Sequence, residues 1–274
     1  MSYKLTYKKV VLIESQYRTD GHAPYKVVAD DYSFYVLKLP KTQVDVISIQ
    51  KEVVCHALLN EWKISTPAFS WLQIPEELIE EELKNGKILP YHFGSSFIEN
   101  SIDLSNLFTF DKKVNRREIE NLEDLFLIAL FDIWVQNDDR KPSNNNLLVS
   151  PFGSALQLVA IDHAYTFSSM NYIDLNPDYG DGFSFNDSIL FAPAGKALVR
   201  QTKIDAAWFN TLREKFYLCI AQCKSKFPEI SQFFPPEIQI DKTNEEALGH
   251  FLFNEDRNKL VFQLFCSIIK DIKK

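Results

Sequence analysis

A long apolar helix pattern that runs straight into a polar, acid-rich loop constrains this chain more than any other feature. From Glu118 to Gln136, residues Leu122, Leu125, Phe126, Ala129, Leu130, Ile133 and Trp134 make an apolar face too wide for a surface helix. The spacing predicts a helix buried on more than one side. It delivers the chain directly into Asn137-Asp138-Asp139-Arg140, and Asn144-Asn145-Asn146 follow. Two apolar runs, Leu147-Leu148-Val149 and Leu156 to Ile161, then flank Ser150-Pro151-Phe152-Gly153-Ser154, which reads as a hairpin ending on Asp162-His163. Taken one at a time, these Asn and Asp residues are ordinary turn and cap formers.

The residues before that block read differently. Tyr25 to Ala29 and Phe34 to Leu39 are β-branched and aromatic runs separated by Asp30-Asp31-Tyr32-Ser33, the chemistry of a hairpin. Ser48 to Trp62 has helical apolar spacing, Thr66-Pro67 breaks it, and Ala68 to Ile74 reads as another strand. Pro75-Glu76-Glu77 opens a short acidic helix. Strand character thins out around Tyr91 to Ile98, which marks a junction. The expectation is an α+β chain with a β-rich part over 1–95 and a mainly helical part over 96–274. In the second part, residues 168–200 read as a long irregular segment, helices are expected near Asp205–Lys226 and Asn244–Lys273, and the latter is interrupted near Asn254. Phe233-Phe234-Pro235-Pro236 reads as a connector between them.

With 274 residues and 46% apolar content the chain can bury a substantial core. Its formal charge of -7 offers no global field for phosphate backbones or anionic lipid, so nucleic acid and membrane surfaces are not expected partners. No apolar run approaches the ~20 residues of a membrane span. Cys219 and Cys223 share a helix face and, with Cys55 and Cys266, lack metal-site spacing. Reduced thiols and a cytoplasmic location are expected.

Chemistry enters with the conjunction of residues. Asp139 at the end of a helix can accept or orient a hydroxyl proton, and its five-residue step to Asn144 favours it over Asp138. Asn144 supplies a neutral oxygen and Asp162 a charged one, a pair suited to a hard cation; Asn146 competes with Asn144 for that place. Upstream, Lys38 is the one cation in an apolar strand, and Glu52 lies fourteen residues on in the following helix. A strand lysine held by a helix glutamate is how phosphates of a nucleotide are gripped in kinases.

The chain resembles the HipA-like kinases, within the broader protein-kinase and phosphatidylinositol-kinase fold. The resemblance rests on Tyr35-Val36-Leu37-Lys38, on Lys51 to Leu58 followed by Ser65-Thr66-Pro67, on Phe93-Gly94-Ser95-Ser96-Phe97, on Asp132 to Leu148, and on Ile161-Asp162-His163. It implies a bilobal fold and a transfer of phosphate from ATP, with Mg²⁺, to a hydroxyl acceptor such as protein Ser/Thr. It further implies that Lys38 contacts phosphates and Glu52 orients it, that Asp139 is the catalytic aspartate, and that Asn144 and Asp162 hold metal. The stretch Phe97, Ile98 and Glu99 would be the hinge that meets adenine. The chain departs from kinases in its loop Glu14 to Pro24, which has one glycine where a glycine-rich loop is usual and offers Ser15, Arg18, Thr19 and His22 instead. His163 stands where protein kinases carry Phe-Gly, and the added N-terminal subdomain of the toxin kinases is not expected in this chain.

Three other readings compete: a nucleotide-binding pseudokinase, an AMP transferase on the same fold, and a metal-dependent phosphohydrolase built from Asp138, Asp139 and Asp162. The acceptor and the oligomeric state have no motif in this sequence.

Overall fold

The structure, a computed structural model, describes residues 5–17, 23–40, 43–78, 89–105, 119–178 and 183–274. It divides into two compact units that are not consecutive stretches of chain: Met1–His56 with Pro67–Glu99 and Glu229–Ile240, and Ala57–Thr66 with Asn100–Pro228 and Asp241–Lys274. Residues 57–66 and 229–240 each group with the unit other than that of the residues on either side of them.

The first unit is a closed barrel in the order β1 (Tyr7–Gln16), β2 (Tyr25–Ala29), β3 (Phe34–Lys38), β5 (His92–Ser96) and β4 (Phe69–Gln73), closed by a parallel pairing of Tyr7 to Lys9 with Trp71 to Gln73. Alternation sets its core. Tyr35 and Leu37 of β3 point inward with Val10, Val27, Ala29 and Leu72, which puts Phe34, Val36 and Lys38 on the other face. The β2–β3 turn forms as its chemistry predicts: Asp31 Oδ1 accepts from Ser33 N at 3.1 Å, and Tyr32 takes a left-handed φ of 63°. β5 pairs with both β3 and β4 where the sequence read only a junction. Its Gly94 explains both facts. A Cβ there would run into the side chain of Leu72, so the residue with the lowest strand propensity is the one that fits.

Helix α1 (Gln43–Trp62) follows β3, and a short 3-10 turn at Glu76–Leu78 stands where an acidic helix was expected. Phe233-Phe234-Pro235-Pro236 reads as a connector, yet residues 229–240 around it group with the barrel unit. Trp71 Nε1 donates to Phe233 O at 2.7 Å and Gln50 Nε2 to Ile238 O at 3.0 Å, so two buried donors find acceptors there.

The second unit is built around α2 (Asp124–Val135), of which every residue from Leu125 to Val135 is buried. The wide apolar face is thus the signature of a central helix. Trp134 stacks on Trp62 at 5.4 Å between centroids, and Phe131 and Phe216 close around Trp62 edge-on. A three-stranded sheet, β6 (Ile102–Asp103), β7 (Leu147–Phe152) and β8 (Ala155–Ala160), supplies the hairpin, whose turn is only Gly153-Ser154, with Gly153 at a φ of 59°. Within the irregular 168–200 segment lies α3 (Pro193–Gln201), opened by Pro193 at its first turn. The remaining helices are α4 (Ala206–Lys226), α5 (Lys242–Leu252) and α6 (Glu255–Lys273). Asp205, Asp241 and Asn254 cap their N-termini, the last at the expected interruption. Among the described residues no helix is long and apolar enough to cross a membrane.

Candidate functional site

The loop after α2 is shaped before any ligand is considered. Gln136 ends the helix in a left-handed conformation, and its N–H bonds back to the carbonyls of Asp132 and Ile133. Asn137, fully buried, donates Nδ2 to Asp132 Oδ1 at 3.0 Å and accepts the N–H of Asp139 at 3.2 Å. This Asx turn fixes where Asp139 leaves the helix. Lys141 and Asn144 exchange both backbone hydrogen bonds, so the chain returns at once.

That return brings the expected pair together and adds a third member. Asp139 Oδ1 accepts from Asn144 Nδ2 at 2.9 Å, and Asp139 Oδ2 accepts from Asn146 Nδ2 at 2.7 Å. Both asparagines are therefore oriented by one carboxylate, with their amide oxygens directed away from it. Asn144 and Asn146, the two candidates for one ligand place, thus stand together beside Asp139. Asp138 is turned elsewhere: its N–H bonds to Tyr165 O, and its Oδ2 accepts from Ser169 Oγ at 3.5 Å.

Asp162 follows β8 in a left-handed conformation, φ 54°, and its Oδ1 accepts from Ala164 N at 3.4 Å. Asn146 shares that conformation, φ 45°, and its carbonyl accepts the N–H of Ile161 at 3.1 Å. Asparagine and aspartate are the non-glycine residues that adopt this conformation at least cost.

Arg140 links these pieces, and no role was read for it in the sequence. Its side chain is fully buried. Nη1 pairs with Asp132 Oδ1 at 2.5 Å, Nε donates to Asn145 O at 3.1 Å, and Nη2 donates to Ile161 O at 2.8 Å and Asn146 O at 3.4 Å. His163 Nε2 lies 3.2 Å from Nη2 and, since a guanidinium only donates, acts as an acceptor. Burial pushes the Asp132 carboxyl above its ordinary range, against the opposing pull of Arg140 and Asn137. A carboxylate inside an otherwise apolar helix is the sequence signal for such a partner, since a buried charge needs one.

In the barrel unit, Lys38 Nζ pairs with Glu52 Oε1, and both side chains are largely shielded from water. Phe97 N bonds to Phe34 O at 2.9 Å, extending the β3–β5 ladder by one residue, and Lys26 Nζ sits 4.6 Å from the centroids of both Phe34 and Phe97. Ile98 is half-buried and Glu99 exposed. Of the loop residues named as substitutes for glycines, Ser15 is on β1, whereas Arg18, Thr19 and His22 lie outside the described residues.

No curated protein sequence matches the chain. Among solved structures, the Helicobacter pylori proinflammatory kinase CtkA superposes with a TM-score of 0.52 at 12% identity, covering 96% of this chain and 98% of that one. The Golgi casein kinase, solved with Mn/ADP bound, gives a TM-score of 0.43 at 10% identity over 97% of this chain and 73% of that one. The fold is thus shared with CtkA. The sequence pattern of the HipA-like kinases matches residues 10–175, a span that holds the barrel strands except Tyr7 to Lys9, together with α2, the acid-rich loop and the β7–β8 hairpin. The chain belongs to the HipA-like kinase family and is a phosphotransferase of that family.

Proposed function

We propose that the chain transfers the γ-phosphoryl group of ATP to a hydroxyl acceptor of the protein Ser/Thr class, with Asp139 as the base. The observation that carries this reading is the double hydrogen bond from Asn144 and Asn146 to Asp139. A carboxylate held on both oxygens by neutral donors keeps a fixed direction, which is what orienting a hydroxyl requires. Such a group is typically worth roughly 10²–10⁴-fold in rate.

The same cluster fits a magnesium ion. Its amide oxygens, left by Asn144 and Asn146, are neutral oxygen donors, and Asp162, next to the Ile161 whose N–H bonds to Asn146 O, would add one carboxylate, a set that leaves positions for water and phosphate. Among the described residues no group of three or more His, Cys, Asp and Glu could hold a metal ion, which argues against the phosphohydrolase built from Asp138, Asp139 and Asp162. Magnesium bound there with nucleotide would offset negative charge on the phosphate oxygens. Lys38, held by Glu52, supplies a fixed positive group for the nucleotide phosphates. Phe97, Ile98 and Glu99 present the backbone expected to meet adenine.

Incubation with ATP labelled separately at the α and γ positions tests the reading. Label appearing on an acceptor only from the γ position, and lost in Asp139→Asn, is the expected result. Label from the α position would mean AMP transfer, and nucleotide binding without transfer to any acceptor would mean a pseudokinase.

A further inference from the structure

We propose that Arg140 is a positioning residue: it fixes the backbone of Asn145–Asn146 against that of Ile161–Asp162, and so sets the spacing of the oxygen donors without touching nucleotide or acceptor. The proposal rests on the reading of Asp139, Asn144, Asn146 and Asp162 given above. With its side chain fully buried, Arg140 cannot reach a substrate. Its hydrogen bonds instead go to three main-chain carbonyls, Asn145 O, Asn146 O and Ile161 O, which bracket the start of β7 and the end of β8. Asn146 and Asp162 are both left-handed, a conformation an L-residue holds only where its surroundings impose it. The guanidinium binds one of those residues through its own carbonyl and the other through the carbonyl before it. Asp132 anchors the opposite edge of the guanidinium to the buried helix α2. A planar fork is needed to reach these partners at once, and a lysine ammonium offers a single point.

A simple internal brace would also be buried and paired, so the experiment separates stability from donor spacing. Two variants are compared with the wild type: Arg140→Lys, which keeps a charge beside Asp132 but loses the fork, and Asp132→Asn/Arg140→Met, which removes the buried pair without stranding a charge. Three quantities are read: the melting temperature, amide hydrogen exchange of residues 145–162 in metal-free protein, and the magnesium concentration that half-saturates binding of a fluorescent ATP analogue. Outer partners of metal ligands typically change metal affinity by about 10–100-fold. Both variants are expected to raise the half-saturating magnesium concentration about tenfold or more and to speed exchange in 145–162 while leaving that of α2 unchanged, and the double variant does so even where its melting temperature returns to that of the wild type.

Metal dependence that recovers together with stability in the double variant overturns the proposal, as does half-saturation within twofold of wild type in Arg140→Lys. If neither variant folds, the role of Arg140 lies in folding and the proposal also falls. Wild-type protein with no magnesium-dependent nucleotide binding removes the underlying reading and the proposal with it, a result distinct from the others.

Discussion

Asn146 holds Asp139 by the carboxylate oxygen that Asn144 leaves open. The two asparagines therefore differ less in their bond to Asp139 than in their backbones, since Asn146 is left-handed at a φ of 45° and Asn144 is not among the positive-φ residues. Asn146→Gly should keep the fold and lower kcat at least tenfold. Asn146→Ala should lose about the same activity and also about 1 kcal/mol of stability, because alanine pays for a left-handed backbone. Asn144→Ala should lower kcat with the melting temperature unchanged. Kinetics and thermal melts on the three variants check this; equal stability of the Gly and Ala variants would contradict it.

Asp139→Asn should reduce kcat by roughly 10²–10⁴-fold while nucleotide affinity changes little, since the lost function is proton transfer. Asp138→Asn should cost less than about tenfold, because the Asp138 carboxylate is turned toward Ser169. Steady-state kinetics on both decide it, and a larger loss at Asp138 would reverse the assignment of the base.

Lys38→Met leaves the Glu52 carboxylate largely buried without its cation, a situation that costs a few kcal/mol. The variant should be both less stable and weaker in ATP binding. Lys38→Met/Glu52→Leu should regain stability but not affinity, which calorimetry and melting curves measure separately. Recovery of both would mean that the ion pair only braces the barrel unit.

Burial pushes the imidazoles of His56 and His92 down to about 4, below their ordinary 6.5. Below pH 6.5 the unfolded chain takes up protons that the folded barrel unit refuses, so stability is fully present above about pH 6.5 and falls as pH drops toward 4. Each histidine accounts for about 3 kcal/mol of that loss. Chemical denaturation at pH 7.5, 5.5 and 4.5 should follow this slope, and His92→Phe should flatten it. A stability that stays level from 7.5 to 4.5 would refute the buried, neutral state of both rings.

The sequence carried the parts of this fold that depend on period and on cap chemistry. The central helix, the β2–β3 hairpin and the interruption at Asn254 follow from apolar spacing and from Asp or Asn at the right offset. What escaped it has a common physical cause, dependence on a partner distant in the chain. β5 is a strand because β3 and β4 flank it, though Gly94-Ser95-Ser96 has little intrinsic preference for one. Pro193-Ala194-Gly195 looks like a loop, yet Gly195 is required where a Cβ would meet the backbone of Leu190 at 2.5 Å. In the site, the motif named Asp139, Asn144 and Asp162; Asp132 in an apolar helix signals that a partner is needed, but that the partner is Arg140, and that Arg140 also reaches Ile161, are tertiary facts.

Glu229–Ile240 belongs to the same unit as the barrel strands, although residues 100–228 are translated in between. As the chain leaves a ribosome, the indole N–H of Trp71 has no carbonyl to meet until Phe233 emerges, and Gln50 waits for Ile238. At typical elongation rates that interval lasts roughly ten to forty seconds. The unit made first is finished nearly last, so a nascent chain must carry a barrel without its Glu229–Ile240 segment through the synthesis of most of its partner unit.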